Sequence, residues 1–235
     1  MKIKKYVSVP LCIMALLLLS SCSFMSNNIA CPPEAQIDWV DTVMINNIVY
    51  QYHFPDPDDK KLPILINKGN EIGKVTYRMA ERACSNHKMK NGDAAFIEED
   101  SPIYELKGYP TNLTVVADNK VYIVEENKKA KTVEELYPLE GLVKNIYIES
   151  TEDGRRLSAF SQTTKEDFLA SWYKLKLEKH ESLYKQGKFE GERIFIGIEL
   201  KNGVSFREVY WSDTNVFSSG AVGNKKIKRL LQMNE

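Results

Sequence analysis

Apolar positions in this chain fall mostly in short runs. Asn, Asp, Gly and Pro punctuate them, as in strands joined by tight turns. Val43, Ile45, Ile48, Val49, Tyr50 and Tyr52 are β-formers broken by Asn46-Asn47, which predicts a turn. Ile72, Val75 and Tyr77 predict another extended piece, and Asn91-Gly92-Asp93 a further turn. Ala95–Ile97 and Ile103–Leu106 read as short strands around Asp100-Ser101-Pro102. Leu113–Ala117 and Val121–Glu125 flank Asp118-Asn119-Lys120 and predict a hairpin. Residues 38–127 therefore predict a small all-β unit, whose edges a barrel or sandwich would cover.

Asn127–Lys131 is polar and basic and places a boundary near it, followed by a helical turn at Val133–Leu136. Beyond it, Leu142–Ser150 and Arg156–Phe160 predict two strands around Glu152-Asp153-Gly154. Thr164 with Asp167 predicts a capped helix, and Phe168, Leu169, Trp172, Leu175 and Tyr184 continue at helical spacing. That reading puts His180 on the polar face of a helix running through Lys174–Glu181. Ile194, Ile196, Ile198 and Leu200 alternate with Arg193, Phe195, Gly197 and Glu199 in a strand that buries one face. Asn202-Gly203 turns it into Val204–Trp211, with Phe206 and Tyr210 on one side. Lys225–Gln232 predicts a closing helix. The expected fold class is α+β: a small all-β N-terminal unit at 38–127, then an antiparallel sheet with one packed helix at 128–235.

The longest apolar run has a different meaning. Lys2, Lys4 and Lys5 precede Tyr6–Leu19, a run of about fourteen residues and shorter than the roughly twenty that span a bilayer. Small Ser20 and Ser21 follow, then Cys22. Leu19-Ser20-Ser21-Cys22 resembles the lipobox of bacterial lipoproteins. The resemblance implies that residues 1–21 are a cleaved signal peptide and that the Cys22 sulfur carries the lipid, including fatty acyl chains such as palmitate. Two chains give a stable membrane anchor where one is marginal. Residues 22–37, low in bulky side chains and holding Pro32-Pro33, read as a tether.

Three further stretches, Asp38-Trp39-Val40-Asp41, Gly92-Asp93-Ala94-Ala95-Phe96 and Pro102-Ile103-Tyr104-Glu105-Leu106-Lys107-Gly108-Tyr109, resemble a set of uncharacterised Firmicutes lipoproteins. The resemblance lies mainly in the first unit. It implies an extracytoplasmic address and a fold, and it brings no chemistry.

Charge narrows the partners. Removing residues 1–21 takes away three lysines and no acid, so the formal net charge goes from 0 to −3. With no basic stripe, nucleic acid is excluded as an expected partner. Of four cysteines, Cys12 leaves with the signal and Cys22 is lipidated, so Cys31 and Cys84 remain. An exported pair can form a disulfide, which would tie the tether to the first unit, or the two can sit apart as thiols.

Catalytic motifs are missing: there is no Gly-x-Ser-x-Gly, no Walker loop and no His-Glu-x-x-His. Cys84 and His87 stand at a Cys-x-x-His spacing, but no second pair of metal ligands follows. A cysteine nucleophile would need Cys84 beside His87 or His53. A carboxylate pair could be drawn from Asp38 and Asp41 around Trp39. The acids of Pro55-Asp56-Pro57-Asp58-Asp59 lack calcium-loop spacing and read as a solvated loop. No cofactor or metal is expected. The sequence supports a membrane-anchored extracytoplasmic lipoprotein, a non-enzymatic binding or accessory protein of the cell envelope with an envelope or cell-wall partner. The alternatives are a cell-envelope hydrolase, or an inhibitor or immunity lipoprotein.

Overall fold

Asn46 and Asn47 both take positive φ, 54° and 62°, and so close a two-residue turn whose twist suits a hairpin. The turn joins β1, Thr42–Ile45, to β2, Ile48–Tyr52, with Ile45 opposite Ile48. Asp118 and Asn119, at 47° and 55°, repeat the device between β7, Thr114–Ala117, and β8, Lys120–Asn127. This computed structural model describes residues 38–53 and 64–233. The signal segment, the tether with Cys22 and Cys31, and the acidic loop at 55–59 lie outside the described residues.

Four more strands complete the first sheet: β3, Lys68–Lys74, β4, Tyr77–Arg78, β5, Asp93–Ala94, and β6, Pro102–Leu106. The order is β3-β6-β7-β8-β2-β1-β5-β4, and the sheet curls into a half-barrel. Gly73 allows the curl, because a Cβ there would collide with the Ile45 side chain from the far part of the sheet. The strand expected at 95–97 is a bend instead. Ala95 and Ile97 are buried, but the ladder occupies Asp93–Ala94; the apolar pattern there reported burial, not pairing.

The second sheet is antiparallel throughout, in the order β10, Arg156–Ala159; β9, Val143–Glu149; β11, Arg193–Leu200; β12, Ser205–Trp211; and β13, Val216–Phe217. The helices are α1, Met79–Arg82; α2, Val133–Leu136; α3, Gln162–Trp172; α4, His180–Lys185; and α5, Lys225–Gln232. The molecule is thus mostly β, with two sheets and a few helices.

The cap of α3 is Ser161, not Thr164: its Oγ accepts from the Thr164 amide at 3.1 Å. The helix also stops sooner than its spacing predicts. After Trp172 the chain pairs as a strand, with Lys176 bridged to Thr132 and Leu177 to Ala221. Those ladder bonds take the backbone groups that a longer helix would have used. Tyr184 consequently falls on α4 and is 77 % exposed, off the apolar stripe. Phe168 and Trp172 are fully buried and stack at 5.6 Å, and Trp172 stacks in turn on Tyr137 at 5.5 Å. Tyr137 stacks on Phe206 of β12 at 4.9 Å, so an aromatic column runs from α3 to the second sheet.

The boundary expected near 127–131 falls where the chain passes from the first sheet to the second. Buried side chains of both sheets belong to one continuous cluster, from Val43 to Leu231, and residues 38–235 form one compact unit. Among the described residues no helix is long and apolar enough to cross a membrane.

Candidate functional site

Strand β12 breaks its own pattern. Its register sets Phe206 opposite Ile198, Glu208 opposite Ile196 and Tyr210 opposite Ile194. Cross-strand partners share a face, so the Glu208 carboxyl lies on the apolar side of the sheet, and it is 1 % exposed. Burying a carboxylate there is costly unless hydrogen bonds replace water. Three donors do so: Tyr137 Oη reaches Oε1 at 2.7 Å, and Ser218 Oγ and the Ser219 amide reach Oε2 at 3.1 and 3.3 Å. They do not fully compensate. Burial pushes the carboxyl up to about 7, the Tyr137 bond pulls it down, and the nearby charge of Glu125 pushes it up again.

Ser219 connects this group to an open cavity of about 740 Å³. Its wall carries Glu125 from the end of β8, Lys131, Leu136 of α2, Leu177 and His180 at the start of α4. The backbone fixes this wall through Leu177 N to Lys131 O at 2.9 Å and Glu178 N to Gly220 O at 3.0 Å. Gly220, at φ 87°, is needed for that approach, since a Cβ would lie 2.6 Å from the Glu178 carbonyl oxygen. The His180 ring stacks on Phe189 at 5.1 Å, and Phe189 meets Trp211 edge-on at 5.0 Å. His180 is therefore held on a cavity wall, not on the polar face of a long helix.

More than a third of the surface of Glu125 is accessible, and it lines the cavity. The protein packed round this carboxyl raises its pKa, with His180 lowering it and Glu126 raising it. Among the described residues no hydrogen bond or ion pair reaches its carboxylate, whereas Glu126 pairs with Lys128 at 3.9 Å and Glu181 with Lys185 at 2.6 Å. Ser219 Oγ is buried and also lacks a hydrogen-bond partner among the described residues. A carboxylate on a cavity wall without a protein partner can hold a cation or exchange a proton.

The opposite face of the second sheet carries another polar group of residues. Arg207 Nε donates to Glu149 at 2.6 Å. Glu199 accepts from Asn145, Tyr147 and Lys144 at 3.0, 2.8 and 3.2 Å. Burial alone would raise Glu199, but these bonds and Arg156 outweigh it and hold the carboxyl low. Carboxylates partnered in this way stabilise the sheet.

The residues singled out in the sequence do not assemble into a site. Asp41 accepts from Lys120 Nζ and Tyr122 Oη, each at 3.0 Å, and so is committed to the first sheet. His87 is half-buried, its Nε2 bonds Asp93 at 2.7 Å, and its ring stacks on Tyr77 at 5.3 Å. His53 is buried against Tyr52. Cys84 is bonded in a disulfide, which leaves no thiolate for nucleophilic attack; Cys31 lies outside the described residues. Among the described residues no three His, Cys, Asp or Glu side chains are gathered to hold a metal ion.

Glu125, Glu208 and the cavity were missed in the sequence. A signal for Glu208 existed: it sits at the middle position between Phe206 and Tyr210, both inward. None marked Glu125, because nothing local says which turns surround a strand end. Comparison with family models, curated proteins and solved structures gives no match for this chain.

Proposed function

We propose that this chain is a lipid-anchored extracytoplasmic protein of the cell envelope that binds a small ligand in the cavity at the end of β8. The observation that supports it best is the Glu125 carboxylate on the wall of that cavity, without a partner among the described residues. Ligand pockets commonly offer a few placed polar groups within an otherwise packed wall. In this reading residues 38–127 act as an all-β unit and 128–235 as an α+β unit with α3 as its packed helix. Glu125 comes from the first and His180 and Ser219 from the second. Cys22 carries the anchor, as its lipobox-like setting indicates.

Two measurements test the reading. Cells fed a lipid precursor should label the wild type and not Cys22→Ala; equal label overturns the anchor. Native mass spectrometry of the protein released from membranes should show a bound small molecule, lost when Ala130→Trp fills the cavity. A chain carrying nothing, in both forms, overturns ligand binding.

A second reading has one observation in its favour. Glu208, near neutrality, and Glu125 could supply general acid and base for a cell-envelope hydrolase. Turnover of cell-wall material abolished by Glu125→Gln would select it.

A further inference from the structure

Lysines that are distant in sequence meet at one end of the first sheet. Asn47 N donates to Asn91 Oδ1 at 2.7 Å and Gly92 N to Met44 O at 2.8 Å, so the loop carrying Lys88 and Lys90 lies against the β1–β2 turn. On the other side of that turn Ile48 pairs with Asn127, and Lys128, Lys129 and Lys131 follow. All five lysines are exposed, as are Asn46 and Asn47 between them. Lys128 reaches Glu126 at 3.9 Å; among the described residues the other four have no ion pair.

Across the three segments 46–47, 84–92 and 125–131 the acids are Glu125 and Glu126, so this end carries a formal charge of 5 − 2 = +3, in a mature chain of −3. Asp93, next in the chain, is buried and takes the His87 ring and the Lys90 amide. Glu178 and Lys179, on the wall of the neighbouring cavity, cancel. Like charges gathered on one exposed end repel each other, and an anionic surface relieves that repulsion. Lysines without partners can spread over many headgroups, each adding to the attraction.

A second observation bears on the same loop. Cys84 stands in it and is bonded in a disulfide, and every other cysteine of the chain precedes residue 32. With Cys31 as the partner and Cys22 as the lipid carrier, 31 − 22 = 9 residues separate the lipid from this loop, about 30 Å at full extension.

We propose that the lysine-bearing end of the first sheet rests on an anionic phospholipid surface, with Lys88, Lys90, Lys128 and Lys129 against the headgroup phosphates. This rests on the reading of Cys22 as the anchor and adds which end of the protein meets the bilayer and which lipid it prefers.

Protein released from cell membranes is reconstituted into vesicles of phosphatidylcholine, alone or mixed with phosphatidylglycerol. Lysines are then acetylated and read by mass spectrometry. Phosphatidylglycerol should slow the labelling of Lys88, Lys90 and Lys129 by at least about threefold, and salt at about 0.5 M should abolish the difference. Lys68, whose Nζ donates to Asn119 in the β7–β8 turn at 2.8 Å, marks the opposite end of the sheet and should label equally in both. Lys88→Glu combined with Lys90→Glu should remove the protection of Lys129 at unchanged Tm. Equal labelling in the two vesicles, or equal protection of Lys68, overturns the orientation and leaves the anchor standing. Protein that fails to float with phosphatidylcholine vesicles overturns the anchor. The lysine-bearing end then stands if salt-sensitive flotation with phosphatidylglycerol remains, and falls if it does not.

Discussion

Tyr137 donates its phenolic hydrogen to Glu208 across 2.7 Å, and both side chains lie in the core beside the second sheet. Burial raises both groups, and the charge of Glu208 raises Tyr137 further, so the phenol stays protonated and remains a donor. Glu208 is the member of the pair that titrates in an ordinary pH range.

That titration sets a pH dependence of stability. The folded-state pKa of Glu208, about 7, stands above its ordinary 4.5, so the folded chain holds a proton that the unfolded chain has released. The associated stability is fully present below about pH 4.5 and is lost as pH rises through 7. The contribution is up to about 3 kcal/mol, since each pH unit between the folded and unfolded pKa is worth about 1.4 kcal/mol. Glu125 is raised as well, so the difference between wild type and Glu208→Gln isolates the buried group. Denaturant unfolding from pH 4 to 8 should show wild type losing stability relative to Glu208→Gln. Parallel curves would mean that Glu208 stays ionised in the fold.

Trp172 anchors α3. It is fully buried between Phe168 and Tyr137, so truncation to Ala should cost about 3–5 kcal/mol. Its Nε1 is buried with no hydrogen-bond partner among the described residues, so Trp172→Phe removes an unsatisfied donor and should cost clearly less. Tyr173 is only half-buried, and its truncation should also cost less. Because both sheets share one buried cluster, Trp172→Ala should lower a single transition seen alike by circular dichroism and fluorescence. Two separated transitions would show that the halves unfold independently.

Cys84 is in a disulfide, and Cys31 is the partner expected if residues 1–21 are removed and Cys22 is lipidated. Cys31→Ser should expose one maleimide-reactive thiol in unreduced, denatured protein and cost about 2–5 kcal/mol. An absence of new thiol would assign Cys84 another bond.

Much of the fold was legible locally. The Asn46-Asn47 and Asp118-Asn119 turns were readable because these residues tolerate left-handed backbone, which is a property of two neighbours alone. The β9–β10, β11–β12 and α5 elements followed from alternation and helical spacing in the same way. Where α3 ends was not local. Leu175 keeps helical spacing after Trp172, yet Thr132 and Ala221, far away in the chain, pair with the adjoining Lys176 and Leu177. The bend at 95–97 failed likewise, since burial without pairing looks the same as a strand in one dimension.

The sequence by itself determined the period of most strands and helices and the absence of familiar catalytic motifs. Only the tertiary structure decided the site. Glu125, His180 and Ser219 lie 55, 39 and 94 residues apart pairwise along the chain, and no local pattern correlates positions so distant. Their common cavity exists because β8, the 175–178 segment and the 219–221 turn converge through backbone bonds at Lys131 and Gly220. The raised pKa of Glu208 arises similarly, from how completely the surrounding core excludes water and from the few donors that remain.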